Sequence, residues 1–344
     1  MQIAVPTDDA YGRRLRNLRV SVTDRCNLRC SYCMPEREYV WLPHDDLLTF
    51  EEIDTLVAIF ASVGAEAVRL TGGEPHLRRD LGRLVEKLAA QTAIRDLALT
   101  TNGLLLGEQA AGLRAAGLHR VTVSLDTLRP ERFRLLARRD GLEAVQAGLG
   151  AVQHAGFRDT KIDMVVLRGV NDDEMIDLLE YGTQVNAEVR FIEYMDVGGA
   201  TQWTMDQVVP REEILARLVL RYGPVEPLVD DRRAPAERFV LGDGRTFGIV
   251  ASTTAPFCGT CDRSRLTADG WWFHCLYALQ GTDLRGPLRA GMPPGEIAAQ
   301  LRAGWEARRD RGAEERRAAH GRSVYVPADG LRRDPHLEMH TRGG

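Results

Sequence analysis

The sequence predicts an α/β protein, a partial (βα)6 barrel of TIM-like build whose open side is covered by a C-terminal α+β segment. Three observations predict it. Strand-like and helical runs alternate between residues 19 and 195, six strands fall short of a closed barrel, and past Gly198-Gly199 the alternation gives way to hairpin signals. Two regions follow, 1–200 for the barrel and 201–344 for the covering segment.

The first strand is Arg19-Val20-Ser21-Val22-Thr23, and a cysteine-rich loop leaves its end. After Leu42-Pro43, Thr49 caps a helix that runs to about Gly64, with Glu51 and Glu52 in the first turn and Ile53, Leu56, Val57 and Phe60 on one face. Strand 67–70 opens into Thr71-Gly72-Gly73-Glu74-Pro75, where paired glycines allow backbone to approach a ligand closely. Helix 80–90, strand 97–100 into Thr101-Asn102-Gly103, helix 107–116, strand 120–126, helix 141–155, strand 161–166, helix 172–184 and strand 188–195 keep the βαβ rhythm. Pro210 begins a helix that Tyr222-Gly223-Pro224 stops. Runs 238–241 and 246–250 flank a Gly-Asp-Gly turn, and Asp269-Gly270 turns a second hairpin that returns Cys275 beside Cys258 and Cys261. The closing helix, about 295–318, carries both signs of charge and reads as a solvated face.

A net charge of -4 and a pI near 6.1 argue against a general nucleic-acid binder and leave room for a local basic pocket. No apolar run of signal-peptide or membrane-span length occurs, so the expected setting is the cytoplasm, without membrane contact. Lys87 and Lys161 are the only lysines in an arginine-rich chain, which points weakly to Lys161.

The six cysteines form two groups of three, Cys26/Cys30/Cys33 and Cys258/Cys261/Cys275. Such spacing makes poor disulfides and suits a soft metal, either iron–sulfur or zinc. Three thiolates cannot close a tetrahedral site, whereas a four-iron cluster on three thiolates keeps one iron open to a ligand. His274 offers a fourth zinc ligand to the second group, but neighbours on a strand point to opposite faces. Arg263 and Arg265, two apart, present forked donors on one side, suited to phosphate or carboxylate.

The C-x3-C-x2-C run, with Tyr32 before its third cysteine, resembles the signature of the radical S-adenosylmethionine (SAM) enzymes. With the second cysteine group, Thr23-Asp24-Arg25, Gly72-Gly73-Glu74-Pro75, Thr101-Asn102-Gly103, Phe191-Ile192-Glu193-Tyr194-Met195 and Gly343-Gly344, nearly the whole chain resembles the GTP 3′,8-cyclase family. That resemblance implies a radical SAM barrel and two [4Fe-4S] clusters, one on Cys26, Cys30 and Cys33 and one on Cys258, Cys261 and Cys275. It implies SAM contacts at Tyr32, Gly73, Ser124 and Met195, and GTP contacts at Arg19, Arg69, Thr100, Lys161, Arg263 and Arg265. Catalytic work falls to Arg19, Arg263 and Arg265, an arginine supplying or relaying a proton. The implied reaction converts GTP to 3′,8-cyclo-7,8-dihydroguanosine triphosphate, the first step of molybdenum cofactor (molybdopterin) biosynthesis, a lyase activity.

The resemblance also implies a homodimer, an external electron donor, a link to the cyclic pyranopterin monophosphate synthase that uses the product, and a terminal Gly-Gly that reaches into the active site. Arg342 departs from the apolar residue expected before that pair. Two alternatives stand beside this reading. A peptide maturase of the radical SAM type has an auxiliary cluster but usually more C-terminal cysteines, and a zinc-stabilised binding module needs a fourth ligand at each site.

Overall fold

The structure, a computed structural model, describes residues 6–228 and 235–343. Six parallel strands form its centre: β1 Asn17–Ser21, β2 Ala67–Thr71, β3 Asp96–Thr101, β4 Arg120–Ser124, β5 Thr160–Val166 and β6 Ala187–Glu193. Between them run α1 Phe50–Ser62, α2 Leu81–Ala89, α3 Leu106–Ala115, α4 Pro130–Ala137, α5 Leu142–His154 and α6 Met175–Gln184. Thr49 caps α1 as expected, accepting from the Glu52 amide while the Glu52 carboxylate accepts from Thr49. α4 was not foreseen; it is short and starts at Pro130.

After α7 Arg211–Tyr222 come β7 Val225–Pro227, β8 Glu237–Leu241, β9 Thr246–Val250, β10 Arg263–Leu266, β11 Trp271–Phe273 and β12 Thr282–Asp283. Both predicted hairpins form, β8–β9 and β10–β11. Their inner strands extend the barrel at both edges, β9 parallel to β6 and β10 parallel to β1. The sheet order runs from β12 to β7 with two free ends, so hydrogen bonds do not close the barrel. The covering segment thus adds strands to the same sheet.

The expected solvated helix 295–318 needs correction. Two helices stand there, α9 Pro294–Glu306 and α10 Gly312–Ala318, after α8 Arg285–Arg289. α9 buries Ile297, Leu301 and Trp305 at helical spacing, worth about 1.5–3 kcal/mol each. The charges that suggested solvent occupy its other face. Two short helices end the chain, α11 Ala328–Arg333 and α12 Met339–Arg342.

Along the barrel strands, Val20, Val68, Leu70, Leu97, Leu99, Ile162 and Val189 are buried in the apolar core. Alternate residues face a lumen instead, and they are strongly polar.

Candidate functional site

A cavity of about 1270 Å³ fills that lumen, and all six cysteines and every SAM- and GTP-contact candidate named from the sequence line it. Cys26, Cys30 and Cys33 stand at the end where the strands finish, on the loop after β1. The loop is held by main chain. The Arg29 and Ser31 amides donate to the Ala137 and Leu136 carbonyls at the end of α4, and the Met34 amide donates to the Cys30 carbonyl at 2.7 Å. Gly72 and Gly73 lie flat against the same loop: a Cβ on Gly73 would stand 2.2 Å from the Arg25 carbonyl oxygen. The glycines therefore serve the packing of two backbones as well as any ligand. Buried Glu74 joins this loop to the next, accepting from the Asn102 amide at 2.7 Å and from Thr101 Oγ1 at 2.8 Å.

Burial raises the Cys30 and Cys33 thiols, and the neighbouring cysteines raise them further. A bound cation relieves both effects. Tyr32 donates from its hydroxyl to Asp126 Oδ2 at 2.7 Å and packs edge-on to Tyr194. Burial holds Asp126 up at about 6. Ser124 and Met195 stand at the ends of β4 and β6 on the same rim.

The second group is assembled from distant pieces. Cys258 and Cys261 occupy one turn, and the β10–β11 hairpin returns Cys275. The carbonyl of Cys258 accepts from Arg13 at 2.9 Å, and that of Cys261 accepts from Arg308 at 2.8 Å. Both arginines are buried on Asp9, Arg13 at 2.6 Å and Arg308 at 3.2 Å. Amides of Ala313 and Glu314 at the start of α10 face Cys258, and that of Gly312 faces Cys275. Against the upward pull of burial, Arg263 and Arg308 bring Cys261 down to about 6. Arg263 itself lies 3.6 Å from the Cys261 sulfur and over the Phe257 ring. His274 turns away: it packs edge-on to Trp272, with Nε2 beside Gly304 on α9. Each group therefore offers three free thiols, a donor set that fits an iron–sulfur cluster better than a closed zinc site.

Between the two groups the lumen is cationic. Arg19 pairs in register with Arg69 on one side and Arg265 on the other. Burial lowers all three and neighbouring cations lower them further: Arg265 and Arg69 act on Arg19, Arg120 and Arg190 help bring Arg69 to about 10, and Arg263 helps bring Arg265 to about 9. Arg69 donates to Thr100 and Thr122 at 3.1 and 3.0 Å. Lys161 falls to about 7 through burial and then Arg190 and Arg120. Cations crowded in this lumen call for an anionic ligand.

The chain end returns to this lumen. The Gly343 carbonyl accepts from Arg265 at 2.7 Å and from Arg19 at 3.2 Å, and a Cβ on Gly343 would stand 2.3 Å from Thr71 Cγ2. Gly344 lies outside the described residues. Arg342, unexpected before the glycines, is buried over the Phe273 ring at 4.0 Å and donates to the Leu276 carbonyl at 2.8 Å, beside Cys275.

Sequence reasoning missed Arg13, Asp9 and Arg308, a group joined by contacts such as Arg13 with Cys258 and Arg308 with Asp9 that span more than two hundred residues. It also missed Asp163 and Arg190, which line the lumen. Those two carried a signal: polar residues at period two in otherwise apolar strands, Lys161-x-Asp163 and Glu188-x-Arg190.

Comparison with known proteins agrees with this geometry. Residues 20–182 match the Radical SAM superfamily and residues 187–314 match Molybdenum Cofactor Synthesis C. The chain is 55% identical over 343 residues to GTP 3′,8-cyclase 3 of Mycobacterium bovis, covering 98% of this chain and 91% of the relative. It is 55% identical over 344 residues to GTP 3′,8-cyclase 1 of Mycobacterium tuberculosis (99% and 96%), and 47% identical over 342 residues to GTP 3′,8-cyclase of Acidothermus cellulolyticus (96% and 91%). Among solved structures, Streptococcus suis SuiB bound to precursor peptide SuiA superposes with a TM-score of 0.60 at 14% identity, covering 90% of this chain and 69% of that one. At that identity the likeness concerns the fold alone.

Proposed function

The chain belongs to the GTP 3′,8-cyclase family of radical SAM enzymes, and from that premise we propose how its own residues carry out the conversion of GTP to (8S)-3′,8-cyclo-7,8-dihydroguanosine 5′-triphosphate, a lyase reaction that begins molybdenum cofactor biosynthesis. The observation that carries the reading is the cationic lumen between two three-thiol groups.

Cys26, Cys30 and Cys33 hold one [4Fe-4S] cluster, and Cys258, Cys261 and Cys275 hold a second. With SAM bound, the first cluster would supply the radical chemistry that begins at ribose C3′, and Cys258, Cys261 and Cys275 would hold the second cluster at the end of the lumen that receives the guanine. The remaining work belongs to side chains. Tyr32, Gly73, Ser124 and Met195 frame SAM on the rim, where Gly73 leaves no side chain in the way.

Arg19, Arg69, Thr100 and Lys161 receive GTP, the cations neutralising its triphosphate, and Arg190 joins them from the same lumen. Phosphate charge reverses the repulsion that lowers these groups, so GTP binding raises Lys161 and fixes its proton. Arg263, at the Cys261 sulfur, and Arg265, beside the chain end, orient the base and donate or relay a proton at the reducing step. Holding ribose and SAM side by side in the barrel lumen brings the reacting atoms together and limits water around them. A homodimer, an external electron donor and the downstream pyranopterin synthase complete the proposal from family membership.

The peptide-maturase alternative calls for more C-terminal cysteines than the three in this chain, whereas the cyclase relatives reach 55% identity over nearly the full length. The test is anaerobic reconstitution with iron and sulfide, followed by GTP, SAM and reductant. The expected result is 5′-deoxyadenosine together with a cyclised nucleotide. SAM cleavage with GTP unchanged would remove the substrate assignment and leave the barrel chemistry standing.

A further inference from the structure

Asp163 is one of the carboxylates that face the cations of the lumen, and it acts on both Arg19 and Arg69. It stands on β5 between Lys161 and Val165, and all three line the cavity. Its Oδ1 is buried without a hydrogen-bond partner. An ionised carboxylate accepts and cannot donate, so this atom wants an O–H or N–H. Bound phosphate offers neither, and its charge would repel the side chain.

The strand register gives the height at which that donor must stand. Thr122, Lys161 and Glu188 form one rung, and the Arg69 guanidinium reaches it through Thr122. Ser124, Asp163 and Arg190 form a higher rung, two residues nearer the rim and so roughly 6–7 Å up. Above that rung, Asp126 bonds Tyr32 of the first thiol loop. Phosphates at the lower rung and a reacting carbon at the rim leave the sugar between them. The guanine is drawn to the second thiol group, which joins the sheet through β10, beyond β1 and far around the barrel from β5. Ser124 and Arg190 share this rung but give Oδ1 no hydrogen bond, so the donors that a bound GTP brings to it are its ribose hydroxyls.

We propose that Asp163 accepts a hydrogen bond from a ribose hydroxyl of the bound GTP, and so sets the sugar's orientation between the phosphate cations and the SAM rim. The inference rests on the cyclase reading. Asp163 is a positioning residue here: it selects a ribonucleotide over its deoxy analogues and aims C3′ at the rim. It also offsets part of the repulsion on Arg19 and Arg69, whose proton affinities it raises.

The test compares GTP, 2′-deoxy-GTP and 3′-deoxy-GTP on the reconstituted protein, by equilibrium binding and by product formed per 5′-deoxyadenosine. The wild type is expected to bind one deoxy analogue roughly tenfold or more weakly than GTP, as loss of a hydrogen bond to a charged group implies. Asp163→Ala should erase that gap and lower product per 5′-deoxyadenosine. Asp163→Asn, which keeps a neutral acceptor and nearly the same shape, should narrow it, and it decides the matter if the alanine variant does not fold. SAM affinity should stay unchanged in both. A gap that survives both substitutions overturns the proposal, as does loss of SAM affinity in place of nucleotide discrimination. A wild type that binds no GTP removes the cyclase reading itself, a result distinct from an unaltered gap.

Discussion

The two cysteine groups offer the same three-thiol donor set by different constructions. The first is one loop of eight residues after β1, held by main-chain bonds to α4 and by two glycines pressed against it. The second joins a turn, a hairpin and the start of α10, and its carbonyls are held by two buried arginines that share Asp9. A local loop depends on backbone shape. An assembled site depends on partners distant in sequence, so the two should break in different ways.

The largest difference is expected from Arg13→Ala. It leaves Asp9 with Arg308 alone as its ion-pair partner and takes from the Cys258 carbonyl its charged donor, a loss of about 3–5 kcal/mol for a broken buried pair. Thermal unfolding should show that loss, and iron content should fall at the second group while SAM cleavage persists. Equal loss at both groups would contradict separate constructions.

A smaller effect, confined to the first group, follows from Gly73→Ala. The new Cβ meets the Arg25 carbonyl oxygen, and overpacking costs about 1–3 kcal/mol. SAM affinity should drop in an equilibrium titration while GTP affinity holds.

The smallest concerns the tail beside the second group. His336 lies 2.7 Å from Asp269 and 3.0 Å from Asp334, and those carboxylates raise its pKa against the opposing effect of burial. A raised folded pKa means that this stabilisation is full below the unfolded value near 6.5 and is lost as pH climbs through the folded one. Protection from hydrogen exchange over 336–343, taken relative to the intrinsic exchange rate at each pH, should therefore fall on the alkaline side, and His336→Gln should flatten that dependence.

The same contrast explains what could be read in advance. The first loop was legible because its ligands are contiguous and follow a strand. The barrel was legible from alternation, since Val20, Leu70 and Ile162 bury one face while Arg19, Arg69 and Lys161 take the other. Cysteine spacing and the Asp269-Gly270 turn revealed the second group, but its supports were hidden. Arg13 meets Cys258 across 245 residues, a contact that no local pattern encodes. Residues 295–318 misled because charge was counted around the whole helix, whereas Ile297, Leu301 and Trp305 mark its buried stripe at i, i+4 and i+8.

The division of labour is tested most directly by iron content and SAM cleavage in Cys26→Ser and Cys261→Ser, side by side with the wild type. The account predicts that each variant loses part of the iron, that Cys26→Ser forms no 5′-deoxyadenosine, and that Cys261→Ser still cleaves SAM but neither binds nor converts GTP normally. If Cys261→Ser converted GTP as the wild type does, or if Cys26→Ser still cleaved SAM, the assignment of the two groups would be contradicted.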